Sequence, residues 1–169
     1  SLQAIVRRHE VLRTTYGIQN DHPVQIVYPN FDFNLTVTDL RKIPDAEREP
    51  AAWKLIQTDS TIPFNLTKSV FRAKLLQLSA ENNIFYCVYH HIATDGWSRG
   101  IFDRELQIFY AAFSAGENPS LPDLDIQYSD YAVWQREWLR GNVLAELLDY
   151  WKQHLAGAST LELPLDRPR

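Results

Sequence analysis

Apolar positions along the chain recur with two different periods. Helical spacing places Leu2, Ile5, Val6 and Leu12 on one stripe and predicts an amphipathic helix that starts without a capping residue, as expected of a fragment. Further helices are predicted over 45–60, 97–115, 126–140 and 142–155. Segments rich in β-branched and aromatic residues predict strands over 13–18, 23–28, 34–38, 70–78 and 84–89.

Turn and breaker residues divide these elements. The polar run 79–83 is typical of a hairpin turn between the two strongest strands. Pro50 is expected either in the first turn of its helix or at a break, and Gly141 is expected to separate the last two helices. Strands mixed with helices, followed by a run of helices, predict an α+β sandwich whose sheet is mixed or mainly antiparallel.

Composition narrows the class of protein. The chain has 169 residues, 45% hydrophobic and 22% charged, with a net charge of −4, and this balance without a basic run argues against nucleic-acid binding. Its longest apolar runs are shorter than the roughly 20 residues of a membrane span, and no signal peptide is recognised. The single cysteine, Cys87, is expected to be a core residue and fits a reducing, cytoplasmic setting.

The segment from His90 to Ser98 carries the most chemistry, because it joins a predicted strand to a predicted helix. Asp95 or Ser98 is expected to cap that helix. If the strand stays regular, His90 and His91 point to opposite faces of the sheet. Divergent ligands argue against a metal site built with Asp95, so one histidine is expected to face a substrate channel and the other to be held structurally.

Four segments together resemble the condensation domains of nonribosomal peptide synthetases. The first is His-His-x-x-x-Asp-Gly-Trp-Ser at 90–98, and the second is Arg-His-Glu-Val-Leu-Arg-Thr-Thr-Tyr at 8–16, with tyrosine in place of the usual phenylalanine. Residues 128–135 resemble the Tyr-x-Asp-Tyr-Ala-x-Trp-Gln segment, and 163–169 resemble the stretch that leads towards a second lobe. The matches occur in the family's order and cover nearly the whole chain.

The resemblance implies a chloramphenicol-acetyltransferase-like two-layer sandwich, which is one lobe of a two-lobed domain with its active site in a tunnel between the lobes. Residues 1–155 would form the N-terminal lobe without its beginning, and 156–169 would connect to the absent C-terminal lobe. The isolated chain is therefore expected to be inactive.

The resemblance also assigns roles to the motif residues. His91 would be catalytic and His90 its scaffold, while Asp95 would form an ion pair with Arg13, so that Asp95→Ala should resemble a folding defect. Gly96 is expected to serve either a simple turn or the close approach of a substrate to the backbone.

Three further residues are expected either to line the substrate channel or to serve the fold. Trp97 is expected to pack and Ser98 to cap, whereas Trp134 shares a helical stripe with Tyr128, Tyr131 and Trp138, for which core packing is the default.

The implied reaction is peptide-bond formation between an acyl or peptidyl thioester and an aminoacyl thioester. No cofactor would be bound directly, because upstream and downstream peptidyl carrier domains present the substrates on phosphopantetheine arms. An adenylation domain is the expected neighbour. A coenzyme A-dependent acyltransferase, a related epimerising domain, a non-catalytic carrier-docking module and, more distantly, a metal-dependent enzyme remain alternatives.

Overall fold

The structure is a computed structural model that describes residues 1–161, 163, 164 and 167. It divides into two compact units, 1–129 and 130–169. The boundary predicted between residues 155 and 156 stays a prediction. Part of the predicted connector, including most of the motif at 163–169, lies outside the described residues.

The first unit begins with a helix and a hairpin. Helix α1 (Leu2–Arg8) leads through a 3₁₀ turn (Glu10–Arg13) into β1 (Thr14–Gln19), which pairs antiparallel with β2 (His22–Val27). The two-residue loop between these strands has positive φ at Asn20 and Asp21, 50° and 59°. This is the backbone of a type I′ turn, whose twist matches that of the flanking strands.

A second sheet contains three strands in the order β3 (Thr36–Asp39), β4 (Phe71–Gln77) and β5 (Asn83–Tyr89). β3 runs parallel to β4 and is connected to it through α2 (Asp45–Thr61), whereas β4 and β5 are antiparallel. The prediction of an α+β chain with a mixed sheet is therefore confirmed.

The two faces of this sheet carry different side chains, as alternation requires. Cys87 and Tyr89 belong to the core cluster formed with α1 and α3 (Gly96–Ser114), and Ile84 and Tyr86 belong to the cluster formed with α2. Burial raises the pKa of the Cys87 thiol to about 11, which fits its predicted role as a core residue.

The expectation for Pro50 was wrong, because α2 continues through it. Proline removes one backbone hydrogen bond and strains the preceding turn, but tertiary contacts on both sides hold the helix. Arg48 donates hydrogen bonds to the carbonyls of Ile43 and Leu78, at 3.1 and 2.9 Å. Ala52 is fully buried in the cluster that contains Leu76.

A buried carboxylate also ties α2 to the sheet. Asp59 is 5% exposed; its oxygens accept from Lys74 Nζ at 2.8 Å and from the Tyr86 hydroxyl at 3.2 Å, and Arg72 Nε lies 3.6 Å away. Burial by itself raises the pKa of Asp59, but hydrogen bonding to Lys74, the two cations and the Tyr86 hydroxyl together bring it below its usual value. Asp59 therefore stabilises the fold in its ionised form.

We expect this carboxylate to make stability depend on acid pH. Because its folded pKa is depressed, its contribution is complete above the unfolded pKa of about 4 and is lost as the pH falls through the folded value. Denaturant unfolding of the protein between pH 7 and pH 3 should show a weaker pH dependence for Asp59→Asn than for wild type. Asp125→Asn, an exposed control, should follow wild type, and equal slopes for Asp59→Asn and wild type would contradict the assignment.

Two further helices follow α3. They are α4 (Tyr128–Trp138), which begins at the end of the first unit, and α5 (Gly141–His154). Gly141 opens α5 with φ of 55°, so the predicted separation of the helices is confirmed at a backbone conformation that favours glycine. The prediction that the aromatic stripe of α4 packs in the core was wrong, since α4 has no buried residue. Trp134 instead stacks on Trp138 and lies against Tyr131 at a tilt of 38°, with ring centroids 5.6 Å apart in each pair.

Candidate active site

The histidine motif lies in the connection between β5, which ends at Tyr89, and α3, which begins at Gly96. Because the strand stops before both histidines, its alternation does not extend to them, and their positions are set by the turn. The backbone N–H of His90 donates to the Val70 carbonyl at 2.9 Å, and that of Ala93 donates to the His90 carbonyl at 3.0 Å. The turn is thus fastened to the residue that precedes the neighbouring strand.

His90 is fixed by its side chain as well. Its Nδ1 accepts a hydrogen bond from the backbone N–H of Ile92 at 3.0 Å, and its ring meets the edge of Phe64 at 90°, with centroids 6.0 Å apart. A neutral ring that accepts at Nδ1 carries its proton on Nε2. The side chain of His90 is half-buried, and its contacts with Ile92 and Phe64 hold it in the fold.

His91 is in the opposite situation, since its side chain is exposed. In the part of the chain that the structure describes, no hydrogen bond or ion pair holds the imidazole. It can therefore accept a proton from a bound molecule without breaking a contact of the fold.

Asp95 caps α3. Its carboxylate accepts from the Ser98 backbone N–H at 2.8 Å and from the Ser98 hydroxyl at 2.6 Å. Those hydrogen bonds lower the pKa of Asp95, with a smaller contribution from the charge of nearby His91. The capping prediction is confirmed, and Ser98 takes part through both its backbone and its side chain.

The expected ion pair between Asp95 and Arg13 is absent from the described residues. Arg13 instead lies 3.3 Å from the Glu10 carboxylate and donates to the Tyr28 carbonyl. The reason is local: Glu10 lies three residues before Arg13 in the same 3₁₀ turn, whereas Asp95 is occupied by the first turn of α3. Arg13 thus supports the entry into β1.

We expect the two uncharged replacements of Asp95 to behave differently. Asp95→Ala should lower the melting temperature of the intact domain by a few degrees through loss of the cap, while Asp95→Asn should stay close to wild type because asparagine caps equally well. An ion pair predicts equal losses for the two variants. Thermal unfolding of both variants distinguishes the two roles.

Gly96 is the first residue of α3 and does not have positive φ. A Cβ built on it meets nothing within 4 Å. The turn therefore does not require glycine, and close approach of a substrate to the backbone at this position stays a prediction.

We accordingly expect Gly96→Ala to preserve or slightly raise the melting temperature, because alanine is the better helix former by about 1 kcal/mol, and to reduce turnover of the intact domain. Gly100→Ala, at another helical glycine with open space around its Cβ, is the matched control and should keep full turnover. Full turnover by Gly96→Ala would contradict a role of this glycine in admitting a substrate.

Trp97 does not pack as expected, since it is 83% exposed. The prediction of packing was wrong because Trp97, at the second position of α3, faces away from the cluster that buries Phe102 and Phe109. Trp134 is half-exposed and belongs to the aromatic stack of the second unit. Lining of a substrate channel by Trp97 and Trp134 stays a prediction.

A buried carboxylate was missed from the sequence. Glu105, 4% exposed, accepts from Arg8 Nε at 3.2 Å and lies 2.6 Å from His9 Nε2. The available signal was a charge on the apolar stripe of α3, between Phe102 and Phe109. Through this contact α3, which follows the histidine turn, is locked to the Arg-His-Glu segment.

The same segment also holds the start of the Tyr-x-Asp-Tyr motif. Gln127 accepts from the Glu10 backbone at 3.1 Å and donates to the Arg8 carbonyl at 3.0 Å, and the Ser129 hydroxyl donates to Glu10 Oε2 at 3.2 Å. Motifs far apart in sequence are thus brought together around residues 8–10.

A small cavity of about 140 Å³ lies behind the histidine turn and is lined by residues that include His9, Ala93, Thr94 and Ser98. Within the described ranges, no three histidine, cysteine or acidic side chains come close enough to hold a metal ion, and none of the described helices is long and apolar enough to cross a membrane. The chemistry that the turn offers is that of one accessible imidazole beside an ionised carboxylate.

Known proteins place this arrangement in a family. A linear gramicidin synthase protein of Brevibacillus parabrevis is 49% identical over 171 residues, which cover 100% of this chain and 3% of that protein. A phosphinothricin tripeptide synthetase of Streptomyces viridochromogenes is 40% identical over 171 residues, which cover 100% of this chain and 16% of that protein. The chain therefore spans a small part of the relatives that it matches.

Solved structures agree on the fold. The starter condensation domain of rhizomide synthetase matches with a TM-score of 0.82 at 24% identity, over 94% of this chain and 38% of that one. The X-domain solved in complex with OxyB from teicoplanin biosynthesis matches with a TM-score of 0.78 at 28% identity, over 99% of this chain and 37% of that one. The predicted chloramphenicol-acetyltransferase-like α+β fold is confirmed. The family model for the condensation domain matches residues 1–169, and the chain belongs to that family.

Proposed function

We propose that this chain provides the histidine-bearing part of an active site that forms peptide bonds in nonribosomal peptide synthesis. The observation that carries the proposal is the unequal state of the paired histidines: His90 is anchored by Phe64 and Ile92, whereas His91 is exposed beside the capped start of α3. Family membership supplies the reaction class.

In the proposed reaction, the α-amine of an aminoacyl thioester attacks the carbonyl carbon of an acyl or peptidyl thioester. The new C–N bond forms, the tetrahedral intermediate expels the thiolate, and the proton lost by the amine passes to the His91 imidazole. Gly96 would admit the carbonyl close to the backbone at the start of α3, where N–H groups can stabilise the developing oxyanion.

Magnitudes indicate how the work is divided. An α-amino group has a pKa of about 8, so roughly a tenth is neutral at pH 7 and deprotonation costs only about 1.4 kcal/mol. Positioning two tethered reactants can contribute up to about 7–11 kcal/mol. We therefore assign to His91 the orientation of the amine and the acceptance of its proton, a contribution of about 10²–10⁴-fold.

The proposal includes the partners and the setting. Upstream and downstream carrier domains would deliver both substrates on phosphopantetheine arms, an adenylation domain would load the downstream carrier, and a second lobe would complete the channel. No directly bound cofactor is needed for this chemistry, and the setting would be cytoplasmic.

The test uses the intact parent synthetase, with one carrier loaded with an acyl or aminoacyl group and the next with an aminoacyl group. We expect a product with a new amide bond on the downstream carrier. Supplying the same acyl group as a coenzyme A thioester should give little product. Efficient use of coenzyme A thioesters with free amines would instead favour the coenzyme A-dependent acyltransferase.

A second candidate is a docking module without turnover. It is favoured by the likeness to the X-domain, whose solved structure is a complex with OxyB. The same preparation should then bind its carriers but form no amide bond, even though the carriers remain loaded. Measured turnover by the wild-type protein would eliminate this candidate.

A further inference from the structure

Three arginines line one cleft in the first unit, away from the histidine turn. A cavity of about 480 Å³ is lined by Arg7, Arg8 and Arg13, and Asp123 is the only acidic residue that the described chain contributes to its wall. A smaller cavity of about 170 Å³ shares Arg7 and Arg13 and adds Asp32. The wall of the larger cavity also contains Phe109, Phe113 and Leu121, so one part of the cleft is cationic and another part is apolar.

The three guanidinium groups retain donors for a ligand. Arg8 uses Nε on Glu105, and Arg13 bonds to Glu10 and to the Tyr28 carbonyl. Each Nη nitrogen of Arg13 carries a second N–H besides the one that it donates within the fold, whereas its Nε is buried and has no acceptor. Arg7 is exposed, and the described part of the chain offers it no ion pair. Each guanidinium carries five N–H donors in a fixed fork that matches phosphate oxygens.

We propose that this cleft binds a phosphate ester, with the phosphate between Arg7 and Arg13 and the organic group against Phe109 and Phe113. The volume of the larger cavity lies in the range of small-molecule sites, about 300–1,000 Å³, and leaves room for more than a phosphate group alone.

Two sources offer a phosphate joined to an organic group: a free phosphate monoester, and the phosphopantetheine arm of a carrier domain, whose phosphate is a diester because it is also bonded to the carrier. The second source rests on the function proposed above. Inorganic phosphate tests the site itself, independently of any condensation activity. Pantetheine 4′-phosphate and uncharged pantetheine then distinguish the sources. Tighter binding of pantetheine 4′-phosphate than of inorganic phosphate identifies the carrier arm, and equal binding identifies a free ester.

The experiment is calorimetric titration of the intact parent domain with these three probes at low ionic strength, where screening is weak. Arg7→Gln should weaken binding of inorganic phosphate about tenfold or more, since a charge-assisted contact is lost. Arg104→Gln removes the same charge from the exposed face of α3 and should leave the affinity unchanged. Because Arg7 is exposed, its replacement is not expected to unfold the domain.

Asp123→Asn provides a test of opposite sign. Removing this carboxylate from the wall of the larger cavity should strengthen phosphate binding, whereas Asp125→Asn, outside that wall, should not. Equal phosphate affinity in Arg7→Gln and wild type, or binding of pantetheine as tight as that of its phosphate, would overturn the proposal. Failure of the condensation assay would leave the phosphate result standing, so the two proposals can fail separately.

Discussion

Replacing His91 by alanine in the intact parent domain is expected to lower the rate of condensation by about 10²–10⁴-fold while the melting temperature stays unchanged. The rate should fall because the proton of the attacking amine loses its acceptor. Stability should not fall because the side chain is exposed and no described residue is bonded to it. Steady-state amide formation and thermal unfolding of the same preparation test both halves of this expectation.

His90→Ala is the informative comparison, since it changes the adjacent residue of the same type. It removes the edge contact with Phe64 and the acceptor for the Ile92 N–H, so melting temperature and activity should decrease together. His22→Ala, an exposed histidine in β2, should change neither. A lower melting temperature for His91→Ala than for His90→Ala would mean that the two roles are reversed.

The second large effect is expected at Glu105. Glu105→Ala should destabilise the intact domain by roughly 3–5 kcal/mol, because it strands the charge of Arg8 and leaves His9 without its partner in a poorly hydrated site. Activity should fall as well, since Glu105 fastens α3 to residues 8–10 and α3 carries the end of the histidine turn. Denaturant unfolding gives the free energy of unfolding directly.

Two variants control the interpretation. Glu105→Gln keeps the size of the side chain and one oxygen acceptor for Arg8, and should lose less stability than Glu105→Ala. Glu117→Ala removes an exposed glutamate just beyond α3 and should be close to neutral. If Glu105→Ala were as stable as Glu117→Ala, the contacts of Glu105 with Arg8 and His9 would not contribute to the stability of the domain.

Elements with a clear hydrophobic period were predictable, because burial of one face determines both the element and its orientation. The division of β5 into a face with Cys87 and Tyr89 and a face with Ile84 and Tyr86 follows from alternation and is confirmed. The continuation of α2 through Pro50 could not be predicted in this way. It depends on contacts made by Arg48 and Ala52 with the distant β4 region, which outweigh a local breaker.

In the candidate site as well, contacts between residues close in sequence were predictable and contacts between distant residues were not. The cap at Asp95 is a contact over three residues and is visible in the sequence. The partner of Arg13 was assigned by resemblance to a residue far along the chain, whereas the structure pairs it with neighbouring Glu10. The cleft around Arg7 and Arg13 was not visible in the sequence, because its walls come from two segments, 4–13 and 109–127, that are far apart along the chain.

The most direct test of the central claim, that His91 acts on the chemistry while His90 holds it in place, is the single-turnover rate of amide formation in His91→Ala. Both carriers should be loaded and their affinities measured in the same preparation. We predict unchanged carrier affinities and a rate constant at least about two orders of magnitude below wild type. A rate constant within about threefold of wild type would contradict the assignment of His91.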